Sequence, residues 1–222
     1  MPVKKWAARG LLAASCIWLT GCAAPKPYDY SAFRAHHPRS IVVLPPVNNS
    51  PDVAATYSVL SHATQPLAEG GYYVLPVALV DETFRQNGLV NPAEMQSVSA
   101  AKLVEIFGAD AALYITITQY GVSYTILDSA AIVAANARLV DLRSGQLLWE
   151  GGARASSSEN SNNQGGLAGM LVAAVVKQVL NNLNDQSHTV AGVATQRMLA
   201  PGMRNGLLYG PRSPLFGKEQ QP

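Results

Sequence analysis

Apolar and polar residues alternate along this chain with two different periods, one for each half. Ile41-Val42-Val43-Leu44 is a run of four apolar, mostly β-branched residues stopped by Pro45-Pro46, and it predicts a buried strand. Asn48 to Asp52 then supply turn and helix-capping side chains. Apolar residues recur at helical spacing from Val53 to Glu69, where Pro66 breaks the pattern late and Gly70-Gly71 ends it. Tyr72-Tyr73-Val74-Leu75, halted by Pro76, predicts a second strand. Val77 to Gln86 and Pro92 to Phe107 read as two further helices, the second anchored by Leu103, Ile106 and Phe107.

From Ala112 onward the period shortens to two. Over Ala112 to Tyr120, Ile115 and Ile117 alternate with Thr116 and Thr118, which predicts one buried and one wet face. Val122 to Leu127, Ala131 to Asp141 and Gln146 to Ser156 continue the set. The last two are joined by Leu142-Arg143-Ser144-Gly145, a compact hairpin turn. Ala137, Leu139 and Asp141 share one side of that hairpin, so Asp141 falls at the strand end where a turn can satisfy its carboxylate. Ser156 to Gly166 is polar throughout and reads as a mobile loop. Leu167 to Leu183 is apolar on nearly every side as far as Val176. A last helix is expected after Ser187, running to about Leu199 with Val190, Val193 and Ala194 at helical spacing. The order β-α-β-α-α, then an antiparallel meander, then helices, predicts an α+β (mixed α/β) fold built as a two- or three-layer sandwich.

The amino terminus obeys a different logic. Lys4, Lys5 and Arg9 precede an apolar run from Gly10 to Leu19, and Leu19-Thr20-Gly21-Cys22 closes it. A spanning helix needs about 20 apolar residues, so this run is a secretory signal and not an anchor. The closing tetrad resembles the bacterial lipobox, which implies cleavage between Gly21 and Cys22 and acylation of the Cys22 thiol. Ordinary cleavage after Cys22-Ala23-Ala24 is the competing reading. Each buried methylene contributes roughly 0.8 kcal/mol, so the three chains such lipoproteins carry hold essentially permanently. Ala23, in place of Asp, implies by resemblance to the lipoprotein sorting rule an outer-membrane address facing the periplasm.

The chain accordingly divides into a signal peptide (1–21), a lipidated tether (22–39), a single domain (40–202) and an irregular tail (203–222). Pro25, Pro27 and Pro38 suggest that the tether is extended for much of its length. Tyr28, Tyr30 and Phe33 are unusual in a pure linker. They either pack back on the domain, which is the preferred reading, or meet a partner.

Charge and cysteine content remove several functions. Sixteen Lys and Arg stand against fourteen acids; the leader takes three of the sixteen, leaving 13 against 14. No basic cluster follows Arg9, so counterion release on a nucleic acid is not available. Cys16 leaves with the leader and Cys22 is alkylated, so no disulfide, thiol nucleophile or cysteine ligand is expected in the domain. Of the four histidines, His36, His37, His62 and His188, the first two are adjacent on the tether and would point apart, and His62 has no acid or His one turn away; no metal or cofactor is expected. There is no G-x-S-x-G, and Asp81-Glu82 read as helix-start acids facing the positive end of the dipole. Gly165-Gly166 with Gly169 lacks the Lys-Ser/Thr of a phosphate loop. The reading is non-catalytic. Leu167, Met170, Leu171, Ala174 and Val175 share one face of the apolar segment, which is either a helix buried between sheet and neighbour or a self-association or partner face.

Three stretches together resemble known families. Ile41 to Asn48 resembles the opening strand of the curli secretion-channel lipoproteins and of the TolB amino-terminal domain. Gly108-Ala109-Asp110-Ala111-Ala112-Leu113-Tyr114 is similar to their helix-to-strand passage, and Ala137 to Trp149 to their hairpin. More closely, Tyr28 to about Leu199 resembles a family of proteobacterial lipoproteins of unknown function, similar in fold to the TolB domain. That family's genes are often found with those of other small lipoproteins, including a curli-channel-like one. The shared motifs are structural, so no catalytic residue comes with them, and Val122 to Ala137 alternates too weakly for a pore hairpin. The resemblance implies a membrane-anchored, non-catalytic, protein-binding accessory component of an envelope assembly or export system. It adds other envelope lipoproteins, including a curli-channel-like one, to the expected partners, beside the bilayer through acylated Cys22 and, through the apolar segment, a second copy of the chain. The alternative is a periplasmic binding module for a small apolar or peptidoglycan-derived ligand, which would need an apolar-lined pocket of several hundred cubic ångströms.

Overall fold

The computed structural model describes residues 28–124, 129–161, 183–203 and 205–218. In chain order the elements are α1 (Ser31–His36), β1 (Ser40–Val43), β2 (Val47–Asn48), α2 (Ala55–Glu69), β3 (Tyr73–Val74), α3 (Val77–Gln86), α4 (Pro92–Ser97), α5 (Ala100–Phe107), β4 (Ala111–Tyr124), β5 (Ser129–Asp141), β6 (Leu147–Ser156) and α6 (Leu183–Leu199), with a 3₁₀ turn at Ser157–Ser161. One mixed sheet runs β3-β1-β4-β5-β6, with β2 continuing along β4 beyond β1. β1 is parallel to both β3 and β4, while β4, β5 and β6 form the antiparallel meander.

The interruption between β1 and β2 follows from Pro45-Pro46, which have no N–H to give the ladder. Leu44 N–H makes the last bond, to the Leu113 carbonyl at 3.1 Å, and pairing resumes with Val47 opposite Thr116.

Strand alternation sorts the core onto two sides of the sheet. Ile41, Val43, Ala111, Leu113, Ile115 and Ile117 face α2 and α6, packing with Val59, Leu67, Val190 and Ala194. Val42, Leu44 and Ala112 face the other way, onto Val80, Phe84, Met95 and Leu103 of α3, α4 and α5. This part is a three-layer sandwich. Over β5 and β6 only the α6 side is covered: Ala135, Ala137 and Leu139 are buried, while Asn136, Arg138, Glu150, Gly152 and Arg154 are exposed on the opposite face.

Four local expectations are revised. The single helix expected over Pro92 to Phe107 is two, because Val98 is extended and the Ser99 side chain accepts from Lys102 N–H to start a new helix. Pro66 does not break α2 but sits buried inside it, and the helix runs on to Glu69 and is capped by Gly70, as expected. The two strands expected from Ala112 to Leu127 are one to Tyr124. It is carried past a register shift between Ile117 and Gln119 and through Gly121, whose φ of +117° few other residues adopt. Asp81 and Glu82 are not first-turn acids: α3 starts at Val77, and they pair one turn ahead with Arg85 (2.9 Å) and Gln86 (2.8 Å).

The segments expected to be a tether and an irregular tail are folded where described. Residues 31–36 are helical, Tyr30 and Phe33 are buried, and Leu207 and Leu208 enter the same core. Gly210 N–H and Arg212 N–H bond the carbonyls of Gly70 and Gly71 at 2.8 and 3.1 Å.

Candidate functional site

Both flanking segments of the domain meet at one side of the sheet, and aromatic donors tie them there. The Tyr30 hydroxyl donates to the Gly206 carbonyl at 2.5 Å, and the Trp149 indole N–H to the Asn205 carbonyl at 2.9 Å. Tyr28 Oη accepts the Glu150 N–H at 3.0 Å. Burial raises the Tyr28 pKa, with the charges of Glu150 and Asp29 adding to it and the Glu150 hydrogen bond opposing. The same contact covers an outward amide of edge strand β6. Further along that edge, Ser156 N–H bonds Glu159 and the Arg154 carbonyl bonds Arg197, which pairs with Glu159 at 2.7 Å. Side chains thus occupy the hydrogen-bonding groups of an otherwise open sheet edge.

Beside this junction, at the start of β1 and β4 and the end of β5, lies a cleft of about 560 Å³ lined by His36, His37, Arg39, Asp110, Asp141, Arg143, Pro211 and Phe216. Its two carboxylates organise backbone. Asp141 Oδ1 accepts from Arg143 N–H (3.1 Å), Ser144 N–H (2.7 Å) and the Ser144 hydroxyl (2.7 Å), which closes the hairpin turn and meets the expectation for that residue. Asp110 Oδ2 accepts from Arg39 N–H (3.0 Å), Ser40 N–H (3.1 Å) and the Ser40 hydroxyl (3.0 Å), stitching β1 to β4 at its first residue. Burial works to raise the Asp110 pKa, but these hydrogen bonds and the charge of Arg143 outweigh it, and the carboxyl lies below its ordinary value. Arg143 reaches Asp110 Oδ1 with one nitrogen at 3.3 Å, its side chain 79% exposed. His36 Nδ1 lies 2.9 Å from the Ala32 carbonyl, and its Nε2 lies 3.3 Å from Ser144 Oγ. The His37 ring stands edge-on to Phe216, centroids 5.5 Å apart.

A second cluster joins α2 to α6. The rings of His62 and His188 stack at 4.4 Å, His62 Nε2 lies 3.2 Å from the His188 carbonyl, and Ser58 Oγ lies 2.8 Å from His188 Nδ1. Burial, then the neighbouring His188, lower the His62 pKa, while its backbone hydrogen bond opposes them. A serine–histidine contact at this distance suits nucleophilic catalysis only if the hydroxyl is presented to substrate. Ser58 is 7% exposed on a helix face packed against another helix, so the pair is a helix–helix contact.

Of the site residues expected from the sequence, Gly21, Cys22, Leu167, Met170, Leu171 and Val175 all lie outside the described residues. Among the described residues no group of three or more His, Cys, Asp or Glu converges as a metal site, and no helix is long and apolar enough to cross a membrane. The cleft and the histidine stack were not found from sequence. Their members lie in separate segments, His62 and His188 being 126 residues apart.

The family described as "Putative lipoprotein GNA1162-like" matches residues 28–212. A protein of Neisseria meningitidis serogroup B, "Putative lipoprotein NMB1124/NMB1162", is 49% identical over 209 residues, 93% of this chain and 95% of its own length. The crystal structure of lipoprotein GNA1162 from Neisseria meningitidis is 53% identical, with a TM-score of 0.52, covering 65% of this chain and all of that one. The chain belongs to the GNA1162-like lipoprotein family.

Proposed function

We propose that this GNA1162-like lipoprotein is a non-catalytic accessory component of an envelope assembly or export system, anchored in the outer membrane through acylated Cys22 and binding other proteins from the periplasmic side. The observation that carries this reading is family membership. The meningococcal relative aligns over 93% of the chain, a span long enough to take in Leu19 to Cys22, and this supports the anchored reading. The fold supports a short leash. Tyr28 is fastened to β6 through Glu150, and six residues of chain span at most about 21 Å, so the domain sits close to the bilayer in a restricted orientation. Chemistry is not the favoured role: the buried Ser58 and the backbone-committed carboxylates of Asp110 and Asp141 form no presented nucleophile–base arrangement.

The partner class we infer is other envelope lipoproteins, a curli-channel-like one among them, together with a second copy of this chain. The motif likeness of Ile41 to Asn48 and Ala137 to Trp149 to the curli-channel and TolB domains points the same way. Self-association would use Leu167, Met170, Leu171 and Val175. Cys22→Ser tests the anchor: the protein should stop labelling with palmitate and move from the membrane fraction to the soluble periplasm, and unaltered membrane retention would refute it. Cross-linking and pull-down of the acylated protein from detergent-solubilised envelopes tests the partner class, and recovery of no envelope protein would count against it. Leu171→Asp should dissolve an oligomer while leaving the domain folded; loss of the fold instead would assign that residue to the core.

A further inference from the structure

The cleft between α1, the hairpin turn and the carboxy-terminal segment has an imbalance of hydrogen-bonding groups that points to a ligand. Most of its carboxylate oxygens are already committed: Asp141 Oδ1 takes three donors, Asp110 Oδ2 takes three and Asp110 Oδ1 takes Arg143, which leaves Asp141 Oδ2 as the one without a donor among the described residues. Its donors are not. The Arg39 guanidinium has no hydrogen-bond or ion-pair partner among the described residues, nor do the ring nitrogens of His37. Arg143 spends one nitrogen on Asp110 and leaves the rest of its fork exposed. Both ring nitrogens of His36 face oxygens that can accept. The Ala32 carbonyl only accepts, so His36 Nδ1 donates to it, and Nε2 faces the Ser144 hydroxyl, whose proton already goes to Asp141.

We propose that this cleft binds a small ligand through a carboxylate or phosphate group, held by Arg39 and Arg143, with the ligand's apolar portion against Phe216 and Pro211. Guanidinium forks match both oxyanions bidentately, which a diffuse positive surface does not. The two carboxylates offset the two guanidiniums in total charge, so recognition here is directional, and an isolated anion should bind weakly. A cleft of about 560 Å³ has room for more than the anion alone, within the roughly 300–1,000 Å³ usual for small-molecule sites. The His37–Phe216 ring pair is shared with a neighbouring cleft lined by Phe33, Arg34, Leu208 and Tyr209, so an elongated ligand could extend beneath it. This site is additional to partner binding and does not depend on it.

The probe is the full-length acylated protein in neutral detergent micelles, titrated with inorganic phosphate and, separately, acetate while the imidazole signals of His36 and His37 are followed by NMR. Saturable shifts are expected, at least tenfold weaker in Arg39→Gln and in Arg39→Gln/Arg143→Gln, and unchanged in Arg154→Gln on the exposed sheet face. Arg39→Gln removes no side-chain hydrogen bond or ion pair made within the described residues, and the Arg39 N–H bond to Asp110 remains, so the variant should fold; amide spectra check this. Nanodiscs of phosphatidylglycerol against phosphatidylcholine, without free phosphate, separate the sources. Shifts with phosphatidylglycerol alone identify a lipid headgroup, and shifts with the free anions a soluble ligand. No shift with any of these, or equal shifts in wild type and Arg39→Gln/Arg143→Gln, overturns the proposal.

Discussion

The Tyr72 hydroxyl donates a 2.6 Å hydrogen bond to the carbonyl of Leu208, 136 residues away, and both groups are buried. Tyr30 and Trp149 hold Gly206 and Asn205 in the same way. The segment after α6 is therefore a structural part of the domain, its carbonyls satisfied by aromatic donors where no strand partner exists.

Tyr72→Phe should leave the Leu208 carbonyl buried without its donor and cost about 1–3 kcal/mol. Truncation after Pro201 should cost more, since burying Leu207 and Leu208 contributes roughly 1.5–3 kcal/mol each. Urea denaturation of the wild type and both variants measures this. A truncated protein with an unchanged midpoint would show that the carboxy-terminal segment is dispensable.

Gly151→Ala should destabilise the domain by about 1–3 kcal/mol. An added Cβ would stand 2.3 Å from Cζ2 of Trp149, a ring that is buried and pinned by its bond to Asn205. Thermal unfolding gives the loss, and a shifted indole emission would report the displaced ring. Wild-type behaviour in both measurements would mean the ring moves aside freely.

His62 should make the protein less stable as the solution is acidified from neutral. Above the ordinary histidine value of 6.5 it is neutral in both folded and unfolded chains and adds no slope. Below that value the unfolded chain takes up the proton first, because the folded-state value is lowered. Stability is thus lost through the window between the two and levels off below it. His62→Gln keeps a donor for the His188 carbonyl and should flatten the change in urea midpoint between about pH 7 and pH 5. An identical slope in the variant would assign the effect elsewhere.

Asp141→Ala should cost about 1–3 kcal/mol, because the three donors of the hairpin turn lose a common acceptor. Hydrogen exchange should accelerate first at Arg143 and Ser144. Unchanged protection there would show that the turn closes without the carboxylate.

How far the sequence could be read depended on the range of the interactions concerned. The β1 run, the Ile115/Ile117 against Thr116/Thr118 alternation and the role of Asp141 were all legible, since side-chain period and turn chemistry are set by neighbours within a few residues. The division of the third expected helix at Ser99 was missed because a serine start signal inside an apolar pattern competes with continuous periodicity. The cleft was invisible because its lining comes from α1, the starts of β1 and β4, the end of β5 with its turn, and the carboxy-terminal segment, which have no common pattern along the chain.

By itself the sequence determined the main succession of strands and helices and the hairpin, and it alone carries the expectation of a secretory signal closed by Cys22. These depend on local composition and on hydrophobic spacing. Only the tertiary structure decided that β1 pairs with both β3 and β4, that His62 meets His188, and that Tyr28 to Arg39 and the carboxy-terminal segment close over the sheet together. Such pairings depend on which apolar surfaces and unsatisfied donors are left once local elements have formed, and that remainder is a property of the assembled layers.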